Sequence, residues 1–197
     1  MIRHAGHLTS RPWTLFLVLL LAGSVATTAC APAEQAAEAP SPTATPVENA
    51  ADGVRMIPVD TASGTFEVWT RTVGDNPTAR VLLLHGGPGA THEYLLAIGD
   101  ALAAAGIEAI FYDQLGSYHS DQPDDTDLWR TPRFVDEVEQ VRQALGLGPD
   151  DFYLFGHSWG GILAIEYALA HPEALKGLII SNMMASIPEY NRYAEEV

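Results

Sequence analysis

One cysteine in 197 residues leaves no partner for an internal disulfide and excludes a cysteine-based zinc site. Positive charge is scarce as well: ten Lys and Arg stand against 25 Asp and Glu, a formal net charge of −15 at pH 7. That balance argues against nucleic acid or an anionic membrane surface as the main partner. A solvated acidic surface that serves solubility is the plainer meaning of the excess. Charged residues make up 18% of the chain and apolar residues 47%, the proportions of a globular chain rather than a disordered one. The length holds one domain of ordinary size plus tails. No internal repeat is present, and "YHSDQPDD" (118–125) offers acids and one histidine without a metal-ligand spacing, so no metal site is expected.

Long hydrophobic runs are also missing, with one exception near the N-terminus. "WTLFLVLLLAG" (13–23) follows a positive start containing Arg3 and Arg11 and precedes the small-residue stretch "SVATTAC". The run is too short for a membrane span, and the three features together describe a secretory signal over residues 1–29. Export is therefore expected, either to the cell envelope as a lipoprotein or as a secreted protein. Cys30 stands at the cleavage point, which resembles a bacterial lipoprotein processing site and implies a lipidated Cys30 as membrane tether. Thr27 departs from that pattern, which usually has Leu there, and ordinary cleavage leaving a free thiol is the alternative. Residues 30–53, rich in Ala, Pro, Glu and Thr and without aromatics, are expected to form a disordered spacer.

From Val54 the pattern becomes that of a folded domain, 54–197. "VRMIPV" and "TFEVWTRTV" read as a hairpin joined through "DTASG", and Val81–Leu84 as an apolar strand buried on both faces. A helix is expected from His92 to Ala105, with Thr91 as N-cap and Gly106 as its stop. The strand "IEAIFYD" (107–113) and a polar loop follow, then a helix opened by Thr131-Pro132 and continuing to about Leu145, with Pro132 at the first helical position and Thr131 before it. A strand at Phe152–Phe155, a helix from Gly160 to Ala170 and a last strand "GLIIS" (177–181) complete the series. Two antiparallel strands followed by alternating strands and helices specify an α/β fold with a largely parallel sheet. Ligands of such sheets bind at the carboxyl ends of the strands. Gly86-Gly87, Asp113 and Ser158 all fall there.

Gly156-His157-Ser158-Trp159-Gly160 lies between a strand and a helix, the context of a nucleophile elbow. The sharp turn strains Ser158 and projects its hydroxyl, and the flanking glycines leave room for the strand–helix crossing. The Trp159 N–H opens a helix, where negative charge is favoured. "HGGPG" (85–89) stands where a second oxyanion donor belongs. Pro88 has no N–H, so Gly87 is the simplest donor, and Gly86 and Trp159 are expected to border the substrate. A tight turn needing unusual backbone angles is the other meaning of these glycines. His157 reads as packing beside the elbow, and His92 and His171 as surface residues.

"HGGPG", "YDQLGSYHSDQP", "GHSWGG" and "SNMMASIPEYNRYAEE", in that order, resemble the proline iminopeptidase family of α/β-hydrolase serine peptidases. The resemblance covers about residues 54–197. It implies a small peptide substrate, release of an N-terminal residue (typically proline), no cofactor, Ser158 as nucleophile, and Gly87 and Trp159 as oxyanion hole. Tyr118 departs from the family, which usually has glycine there. In α/β-hydrolases the acid and the histidine follow the nucleophile. After Ser158 only His171 and a few glutamates remain, so the chain reads as the N-terminal part of such an enzyme. It is expected to lack cap and C-terminal strands and to be inactive by itself, with "GLIIS" at an open edge. His119, on the active edge, is the one upstream substitute for the base. An esterase with the same front half, and a non-catalytic fragment or envelope binding protein, are the competing functions.

Overall fold

The computed structural model describes residues 48–49, 53–184 and 186–196. The signal (1–29), Cys30 and most of the expected spacer lie outside the described residues. Among the described residues, seven strands form one sheet: β1 (Glu48–Asn49), β2 (Val54–Thr61), β3 (Gly64–Val73), β4 (Arg80–Leu84), β5 (Glu108–Tyr112), β6 (Phe152–His157) and β7 (Gly177–Ser181). Their spatial order is β1-β2-β3-β5-β4-β6-β7. β1, β2, β3 and β5 pair antiparallel, whereas β5, β4, β6 and β7 run parallel. The helices are α1 (Leu96–Ala104), α2 (Thr131–Ala144), α3 (Trp159–Ala170) and α4 (Ile187–Glu196).

Alternation along the central strand builds the two cores. Leu82 and Leu84 of β4 face a cluster with Phe134, Val138 and Val141 of α2 and Leu163 and Tyr167 of α3. Val81 and Leu83 point the other way, to Leu95, Phe111 and Phe155, with Leu96 and Leu102 of α1 packed over them. Period-2 geometry sends successive side chains to opposite faces, so a run apolar at every position requires helices on both sides. Arg80 and Glu108 start adjacent parallel strands and meet at 2.6 Å, so the nearly buried carboxylate has a charge-assisted partner.

The structure differs from the sequence reading in four places. The expected helix from His92 opens as a 3-10 turn, His92–Leu95, capped by Thr91, and becomes α1 only at Leu96. The N-cap of α2 is Arg130, without a side-chain bond, and Thr131 is already helical. His92 is not a surface residue: it is buried, stacked on Trp69 at 4.3 Å, and hydrogen-bonded to Asp113. Finally, α4 forms in the segment after β7, where no helix is expected from the sequence. It buries none of its residues. β7 does lie at the sheet edge, with Leu178, Ile179 and Ile180 each about 40% exposed.

Candidate active site

Because β4, β5 and β6 are parallel, the residues that follow them emerge on one side of the sheet: His85-Gly86-Gly87, Asp113-Gln114 and Ser158. Ser158 sits between β6 and α3 with φ 55° and ψ −121°, a left-handed conformation costly for a residue with a Cβ. The turn is clamped from both ends. Ser158 N–H donates to Ser181 O of β7 at 3.1 Å, and Ser158 O accepts from Gly161 N–H at 2.9 Å. A Cβ on Gly156 would lie 2.7 Å from the Gly161 Cα, and one on Gly160 2.7 Å from His85 O and closer still to Leu84 O. Both glycines are thus required by the crossing of α3 over β4 and β6, as their spacing around the serine predicts.

The "HGGPG" loop lies directly against this turn. A Cβ on Gly86 would stand 3.0 Å from Ser158 Cβ. Gly86 N–H is already spent, since it donates to the Tyr94 hydroxyl at 2.6 Å. That hydroxyl in turn reaches His157 Nδ1 at 3.1 Å. Gly87 has φ 120°, a region that favours glycine, and its N–H has no partner among the described residues. Trp159 is the first residue of α3, so its N–H has no intrahelical acceptor. Two N–H groups thus remain unspent next to residues of the Gly86–Ser158 contact: that of Trp159, which follows Ser158, and that of Gly87, which follows Gly86.

Several buried polar residues under the loop are hydrogen-bonded to one another. Gln114 N–H donates to His85 Nε2 at 3.0 Å, which leaves His85 Nδ1–H to donate to Gly86 O at 2.9 Å. Burial lowers the His85 pKa, partly offset by the Gly86 carbonyl, and this favours the neutral ring that the Gln114 bond needs. Asp113, fully buried, accepts from the backbone N–H and Nδ1 of His92, both at 2.9 Å. Next to it, Leu115 N–H donates to Glu137, a carboxyl raised by complete burial and held by Tyr112 and Arg133.

Among the described residues the upstream groups have other partners. Asp113 is committed to His92. Asp121 accepts from Glu67 N–H at 2.8 Å, and the His119 ring lies tilted against Tyr118, centroids 3.8 Å apart, with Trp69 on another side at 5.1 Å. No side-chain hydrogen bond reaches the Ser158 hydroxyl among the described residues, and His171 lies against Tyr167 at the far end of α3. Two clefts adjoin the elbow. One, of about 430 Å³, is walled by Trp129, Phe134, Trp159, Leu115 and Pro88. The other, of about 290 Å³, contains Ser158 itself with Asn182, Met184 and Tyr190, the last contributed by α4. Gln114 and Tyr94 are the residues that sequence reasoning missed. The one signal available was the place of Gln114 directly after an apolar strand on the active edge.

Comparison with known proteins shows the family. The family model for the alpha/beta hydrolase fold matches residues 79–195. A proline iminopeptidase of Flavobacterium johnsoniae is 57% identical over 142 residues, 72% of this chain and 48% of the relative. One from Elizabethkingia meningoseptica is 58% identical over 140 residues, 71% of this chain and 47% of the relative. The crystal structure of the proline iminopeptidase of Mycobacterium smegmatis superposes with a TM-score of 0.64 at 32% identity, covering 73% of this chain and 48% of that one. The chain thus spans about half the length of the relatives it matches. With more than half of its residues inside the matching model and its serine on the strand–helix turn, the chain belongs to the α/β-hydrolase fold family.

Proposed function

We propose that this chain carries the nucleophile and oxyanion site of an exported serine aminopeptidase that releases an N-terminal residue, proline by preference, from small peptides. The observation that carries the reading is the strained Ser158 with the unspent N–H groups of Trp159, which follows it, and of Gly87, which follows Gly86. The similarity to proline iminopeptidases supports the substrate class. The Ser158 hydroxyl attacks the carbonyl carbon of the N-terminal residue and its proton passes to a histidine base. The tetrahedral oxyanion accepts from the two N–H groups, the amine leaves with that proton, and water releases the acyl group. Loss of one such donor commonly costs about 3–4 kcal/mol of barrier. The activity proposed is that of a protein of the relatives' full length, in which an acid and a histidine complete the site. Residues 1–29 are read as its export signal and Cys30 as its lipid attachment point.

The test uses the full-length protein. A fluorophosphonate probe should modify Ser158, and a proline arylamide should be cleaved in preference to a short-chain ester, with both lost in Ser158→Ala. Preference for the ester makes the protein an esterase. An unlabelled serine makes it non-catalytic. Mass spectrometry of the native N-terminus should find lipid on Cys30; an unmodified N-terminus means ordinary cleavage.

A further inference from the structure

The two N–H groups belong to segments that the sheet does not itself hold in register. His85–Gly87 continues β4, and Ser158–Trp159 continues β6, but the β4–β6 ladder ends at Leu84 opposite Gly156. Beyond that pair, the Tyr94 hydroxyl joins Gly86 to His157, and one side chain that follows a third strand joins His85 to Trp159. Gln114, which follows β5 on the other side of β4, is 1% exposed. Its amide Nε2 donates to His85 O at 3.0 Å and its Oε1 accepts from Trp159 Nε1 at 3.1 Å, while its backbone N–H holds the His85 ring. The amide orientation is fixed by these partners: a carbonyl on one side demands a donor, and an indole on the other demands an acceptor. Its neighbours are anchored as well, since Asp113 N–H donates to Trp69 O and Leu115 N–H to Glu137.

We propose that Gln114 is a positioning residue that sets the spacing between the Gly87 and Trp159 N–H groups by bridging the His85 carbonyl and the Trp159 indole. The inference rests on the reading of Ser158 as nucleophile and of those N–H groups as oxyanion donors. Gln114 touches neither substrate nor oxyanion. It acts through the two residues it joins, so its effect belongs to the transition state rather than to substrate binding.

Three substitutions in the full-length protein separate this role from packing. Gln114→Met keeps the length and removes both side-chain bonds. Gln114→Glu keeps an acceptor for the indole but sets an oxygen against His85 O. Trp159→Phe keeps the backbone N–H and removes the indole donor. Val141→Ala, in the core under α2, supplies a comparison that lowers Tm at a distance from the site. The measurements are Tm, kcat and KM on a proline arylamide, and affinity for a boronic acid that forms a tetrahedral adduct with Ser158. A misplacement of donors short of 1 Å costs less than a hundredfold, so Gln114→Met should lower kcat about tenfold and leave KM within about twofold. It should weaken the boronate by a similar factor, with Gln114→Glu at least as impaired. Val141→Ala should lower Tm and change neither kcat nor boronate affinity. Adding Trp159→Phe to Gln114→Met should cost less than the product of the single effects, because both break one bridge. If Gln114→Met lowers Tm yet keeps kcat and boronate affinity, the residue is packing and the inference is overturned. If the wild-type protein itself neither labels nor turns over, the hydrolase reading fails first and the inference goes with it.

Discussion

Replacing Gly160 by alanine tests whether the elbow is held by backbone contact. The new methyl would sit 2.7 Å from His85 O and from the Leu84 carbonyl carbon, and closer to Leu84 O. All three atoms are main chain at the end of β4, which is hydrogen-bonded on both sides, so no rotamer change relieves the clash. Ordinary contact requires 3.4 Å or more, so about 1 Å must open between α3 and β4. Overpacking of this kind costs about 1–3 kcal/mol, and rigid partners on one side place Gly160→Ala near the upper end. The catalytic effect is separate. Moving α3 by that distance carries the Trp159 N–H away from Gly87, and a 1 Å error in such a site costs about a hundredfold in rate, or roughly 2.7 kcal/mol of barrier. The assay is paired: thermal melting, and the rate of fluorophosphonate labelling of Ser158 well below Tm in the full-length protein. Gly148→Ala is the control, since its methyl meets nothing nearer than Asp151 Oδ1 at 3.9 Å and should leave both readouts unchanged. Wild-type Tm and labelling rate in Gly160→Ala would refute the argument from contact.

Gly99→Ala should be destabilising by about 2–3 kcal/mol, because its methyl falls 2.8 Å from Phe111 Cε1 and closer to Cζ in a core that cannot open; chemical denaturation reads this, and a neutral result contradicts the packing. Tyr94→Phe removes the acceptor of Gly86 N–H, and should cost about 1 kcal/mol of stability and slow labelling several-fold by loosening the loop. Faster labelling would instead show that Tyr94 competes with substrate for that donor. Hydrogen bonds from Arg142, with Tyr167 and Gln143, hold Glu139 down to about 2 against an ordinary 4.5. Its folded pKa lies below its unfolded value, so the stabilisation is complete above pH 4.5 and is lost as pH falls toward 2. After discounting for solvent this is about 1–2 kcal/mol, and Glu139→Gln should flatten the acid limb of a stability–pH curve over that window.

The strand runs and the elbow were legible because each is a local pattern with a local cause. Val81–Leu84 is apolar at every position since both of its faces are covered, and Gly156 and Gly160 bracket the serine since the crossing excludes any Cβ. What escaped is long-range. His92 looked like a helix-surface residue from its neighbours. Its burial depends on Asp113, twenty-one residues later, and on Trp69 from another strand. Gln114 reads as one polar residue in a loop, and only the fold sets it between His85 and Trp159. Arg130 could not be chosen over Thr131 as cap because no side-chain bond marks the start of α2. The last helix was overlooked because its segment is polar overall, although Ile187, Tyr190 and Tyr193 recur at helical spacing.

The strand order also has a kinetic consequence. β2 and β3 are joined by the two residues Ala62-Ser63 and can pair within microseconds as a hairpin. β4 cannot: its partners start at Glu108 on one side and at Phe152 on the other, so the chain must close two long loops before the middle of the sheet exists. Such non-local pairing is slow. Ser158 acquires its left-handed backbone only when β6 has docked on β4 and β7 has closed over it through Ser181. The turn at Ser158 is thus among the last parts of the chain to be made, and a partly folded molecule holds it without the left-handed backbone and without the clamp from Ser181.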